Sequence, residues 1–89
     1  MVYITSVHMV GGTGHEHISA VRWRNPDEGT TGQSGRAEMV DFIDNKKGVA
    51  KVQSGGTEVH VGTVNASPKY IRTHADGKWT DNLLALPRY

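Results

Sequence analysis

The segment "GGTGHEHIS", residues 11–19, combines turn glycines with two histidines and offers three kinds of chemistry. Glycine amides could cradle a phosphate, His15 and His17 could share a metal ion, or the stretch could be a turn between strands. The dinucleotide pattern G-x-G-x-x-G fails, because His17 stands where the third glycine is needed and a strand signal follows instead of a helix. A looser nest of amides around Gly12 and Gly14 needs no helix and remains open as an anion site.

Read as a strand, the segment puts His15 and His17 on one face at spacing two. His8, His60 or His74 would have to supply further ligands, since zinc takes three or four convergent donors. Five histidines in a small sheet protein bring two together by chance, so half-exposed strand histidines are the simpler reading and no metal is expected. Cysteine is absent, which excludes disulfides and thiolate metal sites. No serine stands in a nucleophile elbow. Asp41 and Asp44, beside Glu38, read as the solvated face of a helix and not as an acid–base pair. Neither enzymatic activity nor a cofactor is expected.

The C-terminal third is richer. "YIRTHADGKW" alternates Tyr70, Arg72 and His74 on one strand face, with Ile71, Thr73 and Ala75 on the other, and its hairpin partner brings Trp79 close. "VRWRN" sets Arg22, Trp23 and Arg24 in one strand. Arginine beside flat rings can hold an anion and stack on a base; the commoner arrangement has both tryptophans in the core and the arginines paired with surface acids. The candidate ligand-binding residues are Gly12, Gly14, His15 and His17 from the loop, Arg22, and Arg72, His74 and Trp79 from the hairpin. Gathered in one place, the loop amides, His15, Arg72 and His74 would form an electropositive pocket without an acidic partner.

The elements that must position these groups follow from periodicity. Residues 2–10, "VYITSVHMV", and 16–24, "EHISAVRWR", alternate as strands around the glycine-rich loop. Residues 25–35, "NPDEGTTGQSG", carry almost no apolar side chain and read as a long loop, functional or mobile. "RAEMVDFIDNKKG" changes to helical period, with Met39, Val40, Phe42 and Ile43 on the buried stripe and Glu38, Asp41 and Asp44 toward water. Gly35 at the N-cap puts Glu38 where its carboxylate can reach back to free amides, and Gly48 supplies a left-handed stop. "VAKV" and "TEVHVGTV" flank a primed turn at Gly55-Gly56, "KYIRTHA" follows Pro68, and Asp76-Gly77 turns the chain into "KWT". "NLLAL" reads as a last helical turn capped by Asp81 and halted by Pro87. The expectation is an α+β fold: a small, mainly antiparallel sheet in the order β-β-α-β-β-β, one helix on one face and a short C-terminal helical turn.

At "SGRAEMVDFI" and "YIRTHADGKWTDNLLALP" the chain resembles Domain of Unknown Function 3892, a family of short bacterial and phage-borne proteins. The family also carries a GGxGHEHI-type segment before an "AVRWRN"-type strand, so the likeness runs from Val2 to Pro87. It implies no mechanism, because the family has no established activity. Here glycine precedes Arg36 where the resemblance leads one to expect a Ser or Thr cap.

The 89 residues are enough for one domain, 1–89. Ten Lys and Arg against nine Asp and Glu give a net charge of +1, which carries no strong nucleic-acid signal and no pull toward a membrane. The start of the chain has no signal-peptide pattern and no apolar run is long enough to span a bilayer, so a cytoplasmic protein is expected. With 36% apolar residues, a small domain gains from pairing with copies of itself, and a homo-oligomer is expected. The leading reading is a non-enzymatic module for a small anionic or nucleotide-like ligand. Its rivals are a structural or protein-interaction module and a histidine metal protein. Chelator treatment should therefore leave the melting temperature unchanged; stoichiometric zinc that disappears in a His15→Ala/His17→Ala variant would overturn this weighing of the histidines.

Overall fold

In the first strand, β1 (Val2–Met9), Val2, Ile4 and Val7 are buried. Strict alternation would turn Val7 away from Ile4, but a register shift between Ile4 and Ser6 restores it to the same side. The computed structural model describes residues 1–89. After β1 come a 3-10 turn at His15–His17, β2 (Ile18–Asn25), β3 (Thr30–Gly35), α1 (Arg36–Asp44), β4 (Ala50–Ser54), β5 (Thr57–Val64), β6 (Tyr70–Ala75) and β7 (Lys78–Thr80).

These strands form one seven-stranded mixed sheet in the order β3-β2-β1-β4-β5-β6-β7. Every neighbouring pair is antiparallel except β1 and β4, which run parallel with Val2 opposite Ala50 and Tyr3 opposite Lys51. A parallel pair needs a crossover, and β2, β3 and α1 supply it. The fold is therefore α+β as expected, but a strand stands between β2 and the helix where a long loop was expected. "TTGQSG" pairs along its whole length with β2, from Asn25↔Thr30 to Ala20↔Gly35. Its side chains are small and polar because it is an edge strand with little to bury. Residues 81–86 turn through successive backbone bonds (Leu84 N–H to Asp81, Ala85 to Asn82, Leu86 to Leu83) without forming a regular helix, short of the helical turn expected there.

The core lies on one face of the sheet. Val21, Val52, Val61 and Ile71 from the strands meet Met39 of α1 and Leu83 of the C-terminal tail. Met39 alone is fully buried in the helix; Val40, Phe42 and Ile43 pack against the core but stay half-exposed, so the apolar stripe is only partly covered. The helix start is as expected: the Gly35 N–H donates to Glu38 Oε1 at 3.0 Å. Its end is not. Lys47, with φ 55°, takes the left-handed position, and Gly48 serves contact instead, because a Cβ there would overlap the Phe42 ring. The turns at Gly55-Gly56 and Asp76-Gly77 have positive φ at both residues, as primed hairpins require. No helix is long and apolar enough to cross a membrane.

Trp23 packs on the core side, its indole N–H donating to Ser34 Oγ at 3.0 Å. Its ring lies against the backbone of Gly32, where a Cβ would overlap it. Gly32→Ala should thus cost about 1–3 kcal/mol by overpacking. In a Trp23→Leu background the same change should be near neutral, which denaturant melts of the four-member cycle would reveal. Equal costs in both backgrounds would refute the contact.

Candidate functional site

Alternation gives the sheet a second face. Because Val52, Val61, Ile71 and Thr73 are buried, Lys51, His60, Arg72 and His74 project from the opposite side. Paired residues share a face, so the registers Arg24↔Tyr3, Tyr3↔Lys51, Lys51↔His60, His60↔His74 and His74↔Trp79 trace one continuous row. It runs from β2 to β7. The helix and the buried tail residue Leu83 pack on the other side, which leaves this face open.

Along the row, two cations alternate with rings as far as His60, and His74 and Trp79 extend the rings. The Arg24 guanidinium lies 4.5 Å from the Tyr3 ring centroid and donates to Gln53 Oε1 at 2.8 Å. Tyr3 donates its hydroxyl to Glu58, and Lys51 pairs with the other carboxylate oxygen at 3.2 Å. These bonds, Tyr3's first, hold the Glu58 carboxyl below its ordinary range, while the same hydrogen bond pushes the Tyr3 phenol up. His60 and His74 stack with centroids 6.1 Å apart, and Trp79 meets His74 edge-on at 5.8 Å. Trp79 is 47% exposed. Gly62 leaves room beside them, since a Cβ there would sit 3.0 Å from His74 Cδ2. The result is a shallow cleft of about 370 Å³. Next to the row, Arg22 lies 4.0 Å from the Tyr89 ring centroid. Burial raises the Tyr89 phenol.

The eight residues singled out in the sequence fall into three places. Arg22, His74 and Trp79 belong to the open face. Arg72 also leaves β6 on the open side, but its guanidinium is turned to Asp81, where it meets His15: Arg72 bonds Asp81 Oδ1 at 2.8 Å and the Thr80 carbonyl at 3.1 Å, and His15 Nε2 lies 3.8 Å from the same carboxylate oxygen. The expected pocket without an acidic partner is corrected here, because Asp81 is that partner and ties up the guanidinium. His17, Gly12 and Gly14 form the third place. Gly12 packs under the His17 ring and Gly14 under the Glu16 carboxylate. His17 then faces a polar groove of about 900 Å³ beside the start of α1 and Lys69. His15 and His17 do not share a strand face, since they lie in a 3-10 turn with His15 buried and His17 half-exposed. No three His, Asp or Glu side chains converge on one point.

Sequence reasoning passed over Tyr3 and Lys51, and weighed His60 only as a further metal ligand. Each is ordinary in its own strand, and only cross-strand register unites them. It weighed both tryptophans as core residues against Trp79 as a ligand contact; Trp79 stands exposed on the open face, and Trp23 packs on the core side. A polar and aromatic open face, opposite a core face covered by one helix, defines a small α+β protein. The chain belongs to the family described as Protein of unknown function (DUF3892), whose model matches residues 3–87. No curated protein matches the chain, and no solved structure does either.

His15 generates a pH dependence. Burial, with the Arg72 charge added, lowers its pKa below 6.5 against the opposing pull of Asp81 and Glu16. The unfolded chain therefore takes up a proton that the folded chain resists. Stability from this group is complete above about pH 6.5 and declines as pH falls below it. Glu58 and Asp44 have lowered pKa values, Asp44 chiefly through the Thr63 hydroxyl, so their contributions persist to lower pH and fade below about 4.5 and 3.8. In thermal melts, His15→Gln should flatten the loss of stability between pH 6.5 and 5; an unchanged profile would refute the assignment.

Proposed function

We infer that this protein is a non-enzymatic binding module whose open sheet face takes small anionic ligands carrying a flat ring, nucleotides foremost. The observation that supports this reading is the row Arg24–Tyr3–Lys51–His60–His74–Trp79, which joins fixed cations to an exposed indole. Guanidinium and ammonium groups suit phosphate oxygens, and the indole suits a base. Arg72 is a positioning group in this reading, because Asp81 already occupies it. Binding to a preformed face needs no catalytic acid or base and no metal.

A second reading has support of its own. β3 has no strand on its outer side, and "TTGQSG" lacks the charges and prolines that commonly blunt an edge. Pairing there with a second copy would make the protein a homo-oligomeric interaction module. The two readings are compatible, since the edge and the open face are separate surfaces.

The test is a calorimetric titration with mononucleotides, cyclic dinucleotides and inorganic phosphate, in wild type and in Trp79→Ala. Nucleotides should bind more tightly than phosphate alone. Removal of the indole should cost about 1–3 kcal/mol of nucleotide affinity, roughly 5- to 150-fold, while phosphate binding stays unchanged. Equal affinity for phosphate and nucleotide, or no effect of Trp79→Ala, would refute the face as a nucleotide site. Sedimentation of Gln33→Lys, which puts a charge on the edge strand, should show a smaller species than wild type if β3 pairs between copies.

A further inference from the structure

Resting on the nucleotide reading above, we propose that the occupant of the open face is a single-stranded polynucleotide lying across the strands, and not a mononucleotide. The first argument is length. Five strand-to-strand steps separate Arg24 on β2 from Trp79 on β7, about 24 Å at roughly 4.8 Å per step. That is most of the molecule's own extent of 32 × 27 × 25 Å. It equals about seven nucleotides at the ~3.4 Å per-strand rise of a stacked helix, and fewer when the strand is extended. A single nucleotide would engage only one end of the row.

The second argument is charge. The balance differs locally between the two faces. On the helix side Asp41 and Asp44 of α1 are met by Lys46 and Lys69. On the open face Glu58 is held by Tyr3 and Lys51, and Asp27 lies near Tyr3. Arg22 and Arg24 carry no acidic partner; their guanidinium groups rest on Tyr89 and Tyr3. A polyanion satisfies such a face better than one phosphate can.

The third argument is the placement of the rings. Exposed aromatic side chains on an open sheet are a general means of holding unpaired bases, and stacking is largely indifferent to sequence. Trp79, His74 and His60 form such a platform at one end of the row, with the Gly62 cleft beside it. The arginines lie at the other end, so a strand would stack at β5–β7 and carry its phosphates over β1 and β2. A duplex hides its base faces and would lose the platform.

The experiment is fluorescence anisotropy with labelled oligothymidylate and oligouridylate of one, two, four and eight nucleotides, at several salt concentrations. Affinity should rise by at least tenfold from the mononucleotide to the tetramer and level off by the octamer. Two uncompensated phosphate contacts, at Arg22 and Arg24, predict a slope of log K against log salt of about −1.4 for a single strand. Trp79→Ala should weaken octamer binding by fivefold or more, and Arg24→Gln should make the salt slope shallower by about 0.7. Circular dichroism of both variants checks that the fold is intact. An octamer that binds no tighter than the mononucleotide would overturn the polymer while leaving the nucleotide reading standing. Duplex DNA or inorganic polyphosphate bound as tightly as the octamer would also overturn it. Failure of every nucleotide and oligonucleotide to bind would overturn both.

Discussion

Two antiparallel halves of the sheet, β3-β2-β1 and β4-β5-β6-β7, are joined along one edge of β1. The join is a short parallel register at Val2 and Tyr3, extended by the bond from the Val2 N–H to the Val49 carbonyl. Further along the same edge, beyond the reach of β4, the C-terminal tail takes over. The Val7 N–H donates to the Pro87 carbonyl, and the Tyr89 N–H donates to the Val7 carbonyl. Everything else follows from this seam. A parallel join requires a crossover, the crossover brings α1 over one face, and no second α-helix covers the other. That face is left to polar and aromatic side chains.

The seam also explains the placement of charge. The row across the open face passes through Tyr3↔Lys51, one of the two parallel pairs. Slipping that pair by one residue would turn Lys51 into the core and break the row between β1 and β4. Tyr3 and Glu58 lock this point from above, since Tyr3 bonds a carboxylate on β5, two strands away. A hydrogen bond that spans β4 fixes the same register that the backbone sets.

Local signals were legible in the sequence, and long-range ones were not. The Gly35–Glu38 helix start and the two primed turns depend on neighbouring residues, and they stand where periodicity and turn chemistry put them. β3 was hidden because an edge strand of Thr, Gly, Gln and Ser has no apolar alternation to betray it. His15 and His17 mimicked a strand by their spacing, yet Gly14 opens a 3-10 turn that separates them. Trp23 and Trp79 have the same side chain and opposite surroundings. Trp23 faces Gly32 and the helix, and Trp79 faces His74 and water, a difference set by register with strands far away in sequence. The basic-aromatic row could not be read from any window of the chain, because each of its members comes from a different strand.

The position of β1 has a consequence for how the molecule is made. β1 precedes all its partners in the chain, yet its outer edge is completed only when β4 and then residues 87–89 arrive. This interior strand thus precedes every other strand of the sheet and is the last to have all its partners. Until then Val7, fully buried in the end, belongs to an exposed strand edge on the growing chain. The β4–β7 half, built from consecutive hairpins, can assemble by short-range closure, whereas the central seam must wait for segments some eighty residues apart to meet. Until those segments meet it, β1 is paired only with β2 and presents its other edge open.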